Sequence, residues 1–585
     1  MSQRFEYLQD RFLGLNKSED RAFSLKKGES PESVNFSIGD GYSLKKRRGY
    51  SVLCRHGGEG RGIGRLVNSR GEWAVYVVNS VVYAYYGTVE TPIGELESDS
   101  GRVDFLCFSE KLYILDGKRI KVFDGEVFSD IAPYRPLVAI STTPDGAGVS
   151  FEEKNLLTGA MRQSFTMNST TLAVKLVLGE LESVDYVKVD GKELDSQEYT
   201  FDLERGTVTL PEVYKSHPTP NGIEVGFTAK DDGNASLVHS MRHAVVYGGE
   251  NDTRVFLYGD GENPNILRFS GVFDGVSGPE YFPENNFNKI GGAGGITLVI
   301  RHYDRLVCFC PSEAFYCYEE KTSDENGKVY SIFPVRPLSD SVGCEVDGFA
   351  LSVDSFPVTF DRGTLFRWRS TSVRDERYAE DIGKRIRSGF LMWDRDKIRS
   401  FDSETTNELF IWCTDEIYVY NYSLDVFYYW KGITPVTLVT LETGRILFVS
   451  RDGELCALFE SDKDDMREID AVWETPYLKI KDGIKNLYSM SAEVFPDMNT
   501  GASITWISDK GESIERSVKG RYRRFSFKNL DFTAMGFMTG VSSKKLRFRQ
   551  RHKRFERIKV RFSCPGEASL HMIGFSLDGF VASKK

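Results

Sequence analysis

Residues 407–430 read Asn-Glu-Leu-Phe-Ile-Trp-Cys-Thr-Asp-Glu-Ile-Tyr-Val-Tyr-Asn-Tyr-Ser-Leu-Asp-Val-Phe-Tyr-Tyr-Trp, and this stretch constrains the fold more than any other. Three short runs of β-branched and aromatic residues, 409–413, 417–420 and 426–430, are divided by Thr-Asp-Glu and by Asn-Tyr-Ser-Leu-Asp. Leu409 and Ile411, like Ile417 and Val419, recur at period two. Each run therefore predicts a strand with one apolar face turned to a neighbouring layer. Three linked antiparallel strands bury too little apolar surface to stand alone. The meander has to be one of several, and its repeats should be visible elsewhere in the chain.

They are. Residues 73–78 and 81–86 flank a turn at Asn79-Ser80, and four short runs at 105–108, 111–115, 120–123 and 126–128 are punctuated by Asp116-Gly117-Lys118 and Asp124-Gly125. Comparable pairs return at 244–247 with 254–258, 298–300 with 306–318, 349–353 with 364–368, and 446–449 with 455–459. Their spacing of about forty to fifty residues predicts four-stranded blades around an axis, about six to eight of them depending on how 271–282 and 385–401 are assigned. A content of 40 Phe and 28 Tyr suits β-rich layers. The expected class is all-β, a β-propeller carrying additional β modules.

The additions interrupt the repeat. Residues 1–60 have little with which to build a core and are expected to form an extended N-terminal arm that packs on something else, such as a neighbouring subunit. The propeller should occupy 61–137 and 233–465. Between them, 138–232 has alternating runs at 186–189, 199–203, 206–210 and 223–227, the spacing of a small Ig-like β-sandwich inserted at a hairpin tip. Residues 466–585 read as a C-terminal β domain, in which 555–562 alternates Ile558, Val560 and Phe562 with Arg557, Lys559 and Arg561.

The sequence matches none of the familiar catalytic or metal-binding patterns, and no catalytic residue, cofactor or metal is expected. The glycine-rich runs 57–64 and 291–295 lack the Lys-Ser/Thr of a phosphate-binding loop. Cys308, Cys310 and Cys317 have no matching second pair, and His239 with His243 has no adjacent Glu in zincin order. Residues 462–465 lack the glycine and terminal Glu of a calcium loop and read as an acidic linker. Nine cysteines at irregular spacing predict reduced, mostly buried thiols. The opening residues have no apolar leader, and no run of about eighteen apolar residues occurs, so folding in a cytoplasm without membrane insertion is expected.

The charge pattern supplies the candidate contact residues. The whole chain carries −10, from 85 acidic and 75 basic residues, so global attraction to nucleic acid is not expected. Two basic clusters stand out: Lys45, Lys46, Arg47 and Arg48, and a longer one with Lys544, Lys545, Arg547, Arg549, Arg551, Arg557, Lys559 and Arg561, interleaved with Phe548 and Phe555. Cations at period two on a strand could follow phosphates while aromatics stack bases. They could equally meet an acidic partner or subunit, which the acidic whole favours. The first cluster also reads simply as a solvated hairpin tip.

Gly14-Leu15-Asn16, Leu25-Lys26-Lys27-Gly28-Glu29, Ser33-Val34-Asn35, Leu44-Lys45-Lys46-Arg47-Arg48-Gly49-Tyr50, the insert from Asn155-Leu156-Leu157 to Phe227, and Trp473-Glu474-Thr475-Pro476 with Lys485 form a further pattern. Together these stretches resemble the bacteriophage tail nozzle, or tail hub, proteins, a virion family of packaged-DNA stabilisation built around a β-propeller. The resemblance implies a virion protein assembled in the bacterial cytoplasm. It would form a homo-oligomeric, hexameric ring beside portal-adaptor and other tail proteins, which continues or closes the channel for double-stranded DNA. Such a ring needs no catalysis and no sequence-specific DNA binding. The competing expectation is a carbohydrate-binding or glycoside-hydrolysing propeller, which needs only two carboxylates at the right separation.

Overall fold

A computed structural model describes residues 3–18, 25–230, 234–249, 252–292, 294–323, 329–353, 355–370, 377–496, 500–509, 511, 513–519 and 543–582. Helix among them is confined to single turns, Ser236–His239, Arg387–Phe390, Glu212–Tyr214 and Arg395–Lys397, and the protein is all-β. The chain divides into two compact units, Gly64–Ser341, and Met1–Ile63 with Val342–Lys585.

In Gly64–Ser341, apart from the first residues of a strand that begins at Gly60, four sheets of four strands each follow the chain, with the blade architecture of a β-propeller. The first runs Gly60–Asn68, Gly71–Val78, Val81–Tyr86, Val89–Glu95, and its turn at Asn79 takes φ +50°, which asparagine tolerates better than most residues. The second runs from Asp104–Phe108 to Phe128–Asp130, the third from His243–Gly249 to Phe287–Lys289, and the fourth from Leu298–His302 to Val335–Ser339. The insert is a two-sheet sandwich. One sheet is centred on Ala160–Phe165, Ile223–Ala229 and Leu181–Val189, the other joins Ala173–Lys175, Thr207–Thr209 and Thr200–Asp202, and Phe165, Val174, Val187, Val208, Val225 and Phe227 fill the space between them. Asn155 fastens the insert to the blade sheets. Its amide donates to the carbonyls of Tyr134 and Glu280, both at 2.8 Å, and its Oδ1 accepts from the Leu157 and Phe282 amides.

The other unit holds three more four-stranded sheets. They start at Leu351–Val353, Ile398–Ser403 and Pro435–Thr440. The last is completed by a strand from the far end of the chain, Gly49–Arg55, paired to Glu454–Ser461. The stretch 407–430 forms the last three strands of the middle sheet, Glu408–Cys413, Glu416–Asn421 and Val426–Lys431. Trp412, Tyr418, Tyr420 and Trp430 are all buried, and Glu408–Cys413 is covered on both faces rather than on one.

Two further sheets make the C-terminal sandwich. One has the order Phe36–Gly39, Ser43–Lys46, His571–Val581, Lys485–Val494, Lys544–Phe555, with Gln3–Gln9 also on His571–Val581. The other has the order Glu32–Val34, Ala471–Glu474, Ile558–Cys564, Gly501–Ser508, Ser513–Lys519. Here two sequence expectations are corrected. The N-terminal segment is not an arm directed at another molecule: Phe12, Phe36, Ile38 and Leu44 are buried in the same cluster as Trp473 and Trp506, and the segment's strands pair within the chain. The run 555–562 is not one strand. The chain turns between Phe555 and Ile558, where Arg554 takes φ +59° and the Glu556 and Arg557 amides both donate to Asp509 Oδ1. That turn sends the two halves of the basic cluster into different sheets.

Candidate functional site

The two basic clusters meet different fates. In the first, Lys46 Nζ donates to the carbonyls of Gly566 (2.6 Å) and Ala568 (2.8 Å), and burial lowers its pKa from the usual lysine value. Arg47 is fully enclosed. Its guanidinium holds Asp464 with two bonds, at 2.7 and 2.5 Å, and also donates to Asn35 Oδ1 and the Lys431 carbonyl. These two side chains are structural and unavailable to a partner, contrary to the expectation for the tetrad. Lys45 is exposed, and the exposed Arg48 lies 3.7 Å from Asp462. The supposed acidic linker is likewise structural: Asp464 is buried on Arg47, and Asp465 pairs with Arg55 at 2.7 Å.

In the second cluster, Lys559 and Arg561 are neutralised internally. Both bind the buried Glu474 carboxylate, at 2.6 and 2.8 Å, and Arg561 reaches Glu32 at 2.7 Å. A polar cleft of about 520 Å³ borders this network, with Lys17, Ser388 and Tyr477 also on its wall. Lys17 lies over the rings of Tyr418 and Tyr429 and donates to the Tyr418 hydroxyl, so this cation too is engaged. Glu474 follows the buried Trp473 and is itself buried, and a carboxylate held there needs a cation or hydrogen-bond donors, which Lys559 and Arg561 supply.

Exposed cations remain on Lys544–Phe555. This strand ends its sheet, its outer edge paired with no described strand. Leu546, Phe548, His552 and Phe555 turn inward, Phe555 at 1% exposure and Phe548 at 8%, so neither ring is free to stack a base. Lys545, Arg547, Arg551 and Lys553 are exposed, and Arg554 at the strand's end joins them. Arg549 occupies the register position opposite Ser489 on the same strand, Lys544 opens it opposite Val494, and Arg557 is exposed just beyond it. At a strand rise of about 3.4 Å per residue, same-face neighbours lie about 6.8 Å apart.

The chemical groups considered for catalysis are dispersed. Burial pushes the Glu408 carboxyl up to about 7 and Asp402 up to about 6. They are not a dyad, because Glu408 stands opposite Ser403 and Asp402 opposite Leu409, which puts their side chains on opposite faces of the sheet. His243 Nδ1 meets Asp104 Oδ2 at 2.8 Å, whereas His239 Nδ1 accepts the Ile120 amide. A hydrogen bond with Cys317, together with burial, holds the Cys308 thiol protonated. Seven of the nine cysteines are buried. Among the described residues no group of three His, Cys, Asp or Glu side chains is placed to hold a metal ion.

The fold and these contacts define a protein of the β-propeller class with two added β-sandwiches. No protein-family model and no curated protein matches the sequence. Among solved structures, the chain is similar to BBS1N, crystallised in complex with ARL6DN, at 9% identity over 71% of this chain and 97% of that one, with a TM-score of 0.24. It is also similar to the S. cerevisiae core factor, at 9% identity over 54% of each chain, with a TM-score of 0.27. At those scores neither likeness carries an assignment of function.

Proposed function

We propose that the protein is a structural component of a bacteriophage tail, a nozzle or hub subunit. It forms a homo-oligomeric, hexameric ring below the portal-adaptor, contacts other tail proteins, and helps retain and release the genome. The observation that carries this reading is the interlocking of the chain's two ends. Residues from 3 to 55 complete strands of both C-terminal sheets and of the sheet at Glu454–Ser461. Such closure stiffens a scaffold against internal load, because opening any one sheet requires separating segments distant in sequence. The excess of carboxylates suits a channel that lets DNA pass, since a cationic wall would bind phosphates and hold them.

Negative-stain imaging of the purified protein, alone and in tails, tests the proposal. Closed rings and incorporation into particles are the expected result. A monodisperse monomer that cleaves glycans would overturn it in favour of the carbohydrate-active reading.

A further inference from the structure

The two units differ sharply in charge. Gly64–Ser341 contains 25 basic and 41 acidic residues, a balance of −16, which leaves 50 basic and 44 acidic residues, a balance of +6, in the other unit. On the positive unit, the outermost strand Lys544–Phe555 presents Lys545, Arg547, Arg551 and Lys553 to solvent, and none of these side chains pairs with a described residue. Like charges about 6.8 Å apart lie within one Debye length at physiological salt. Their mutual repulsion is relieved when a carboxylate-rich surface covers them.

We infer that this strand is an assembly surface and that its occupant is the acidic unit of a second copy of the chain. The acidic face with the right form is the rim of the inserted sandwich. There Glu193, Asp195, Glu198, Asp202 and Glu204 are all exposed around Thr200–Asp202, itself the last strand of its sheet, and outnumber the exposed Lys192 and Arg205, the latter 3.7 Å from Asp202. A basic sheet-ending strand and one flanked by carboxylates can add to one another through their backbones while the charged side chains set the register. Nucleic acid fits the surface less well. The aromatic rings of the basic strand are buried, and the solvent face of its sheet also carries carboxylates. Glu493 stands opposite Lys545, and Asp578 stands opposite both Ser489 and Glu6. Phosphates laid across this face would meet those carboxylates, whereas a strand added at the outer edge of Lys544–Phe555 lies on the far side from them.

A basic strand on one copy meeting an acidic rim on the next is a heterologous contact, the kind that repeats into a closed ring. The inference rests on the ring reading and names the surface that would build it. Sedimentation velocity on the full chain tests both. The wild type should assemble at low salt and loosen as salt rises. The variant with Lys545→Glu, Arg547→Glu, Arg551→Glu and Lys553→Glu, shown folded by circular dichroism, should assemble at least about a hundredfold more weakly. A second variant with Glu193→Lys, Asp195→Lys, Glu198→Lys and Asp202→Lys should be equally impaired, and mixing the two should restore assembly. Rings that survive the first reversal, or a mixture that fails to reassemble, would overturn this contact and leave the ring reading standing. A wild type that stays monomeric at low salt overturns both. Tight binding of duplex DNA by the wild type, lost in the first variant while its rings persist, would assign the strand to nucleic acid instead.

Discussion

A guanidinium with no solvent exposure has to be matched both in charge and in hydrogen bonds, and Asp464, Asn35 and the Lys431 carbonyl supply that match for Arg47. Removing one side of such a pair strands the other in a medium that cannot solvate it. Asp464→Asn is therefore expected to lower the unfolding free energy by about 3 kcal/mol. Replacing both partners by apolar residues of similar volume should cost less, and the urea midpoint followed by tryptophan fluorescence distinguishes the two. Glu408 gives the opposite lesson. Its pKa is raised by burial, from an ordinary 4.5 to about 7, so the folded state binds a proton that the unfolded state releases between those values. Stability should fall as pH rises from about 4.5 to 7 and then level off, a loss of about 3 kcal/mol at most. Glu408→Gln should remove its share of that slope, the share of Asp402 below about pH 6 remaining, and leave stability near wild type at pH 5 and higher at pH 8. Urea titrations would refute the assignment if the slope between pH 6 and 7, above the range of Asp402, persisted in the variant. Neither role is legible in the sequence, where Asp464 sits in an acidic run and Glu408 precedes an apolar one.

Among the elements, the N-terminal segment depends on a few backbone approaches to the meander that the sequence announces so clearly. The Leu15 amide donates to the Phe427 carbonyl at 2.6 Å, and the Asn35 amide to the Tyr429 carbonyl at 2.8 Å. Gly14 makes the first approach possible. It takes φ +74°, and a Cβ there would press on the Phe427 carbonyl oxygen. Gly14→Ala should destabilise by more than about 1 kcal/mol and expose the segment to limited proteolysis, visible as early cleavage near residue 14. Asn155→Ala should cost about 1–3 kcal/mol through the amides and carbonyls it leaves unpaired. Faster hydrogen exchange of the Leu157 and Phe282 amides would report it. The meander and the insert strands were legible because alternation is a local signal. The partners of the N-terminal strands were not, since Ser43–Lys46 pairs with His571–Val581 across more than five hundred residues and pairing at that range leaves no periodicity. The break after Phe555 was hidden for a related reason: no Gly or Pro marks it, and its acceptor, Asp509, lies 47 residues away from Glu556.

At the scale of the whole molecule, the net charge of −10 conceals a division into a positive and a strongly negative unit. The basic clusters were visible in the sequence, but their availability was not. Burial removed Lys46 and Arg47, Glu474 removed Lys559 and Arg561, and the residue types alone cannot separate those from Lys545 or Arg551. Because unlike charges would be buried between copies, oligomer mass should decline steadily between low and high salt if the units meet as inferred. Light scattering over a salt series measures this directly, and a mass indifferent to salt would argue for an apolar interface. The sheet that Gly49–Arg55 completes sets a different demand, on the timing of synthesis. Arg55 waits for Glu454, 399 residues further on. At a ribosomal rate of about 5–20 residues per second that interval lasts about 20–80 s. For that time Gly49–Arg55 is a strand with no sheet to join, because its three partners lie between Pro435 and Ser461, so the yield of soluble protein should depend on elongation rate and on chaperone supply more than on the stability of the finished fold.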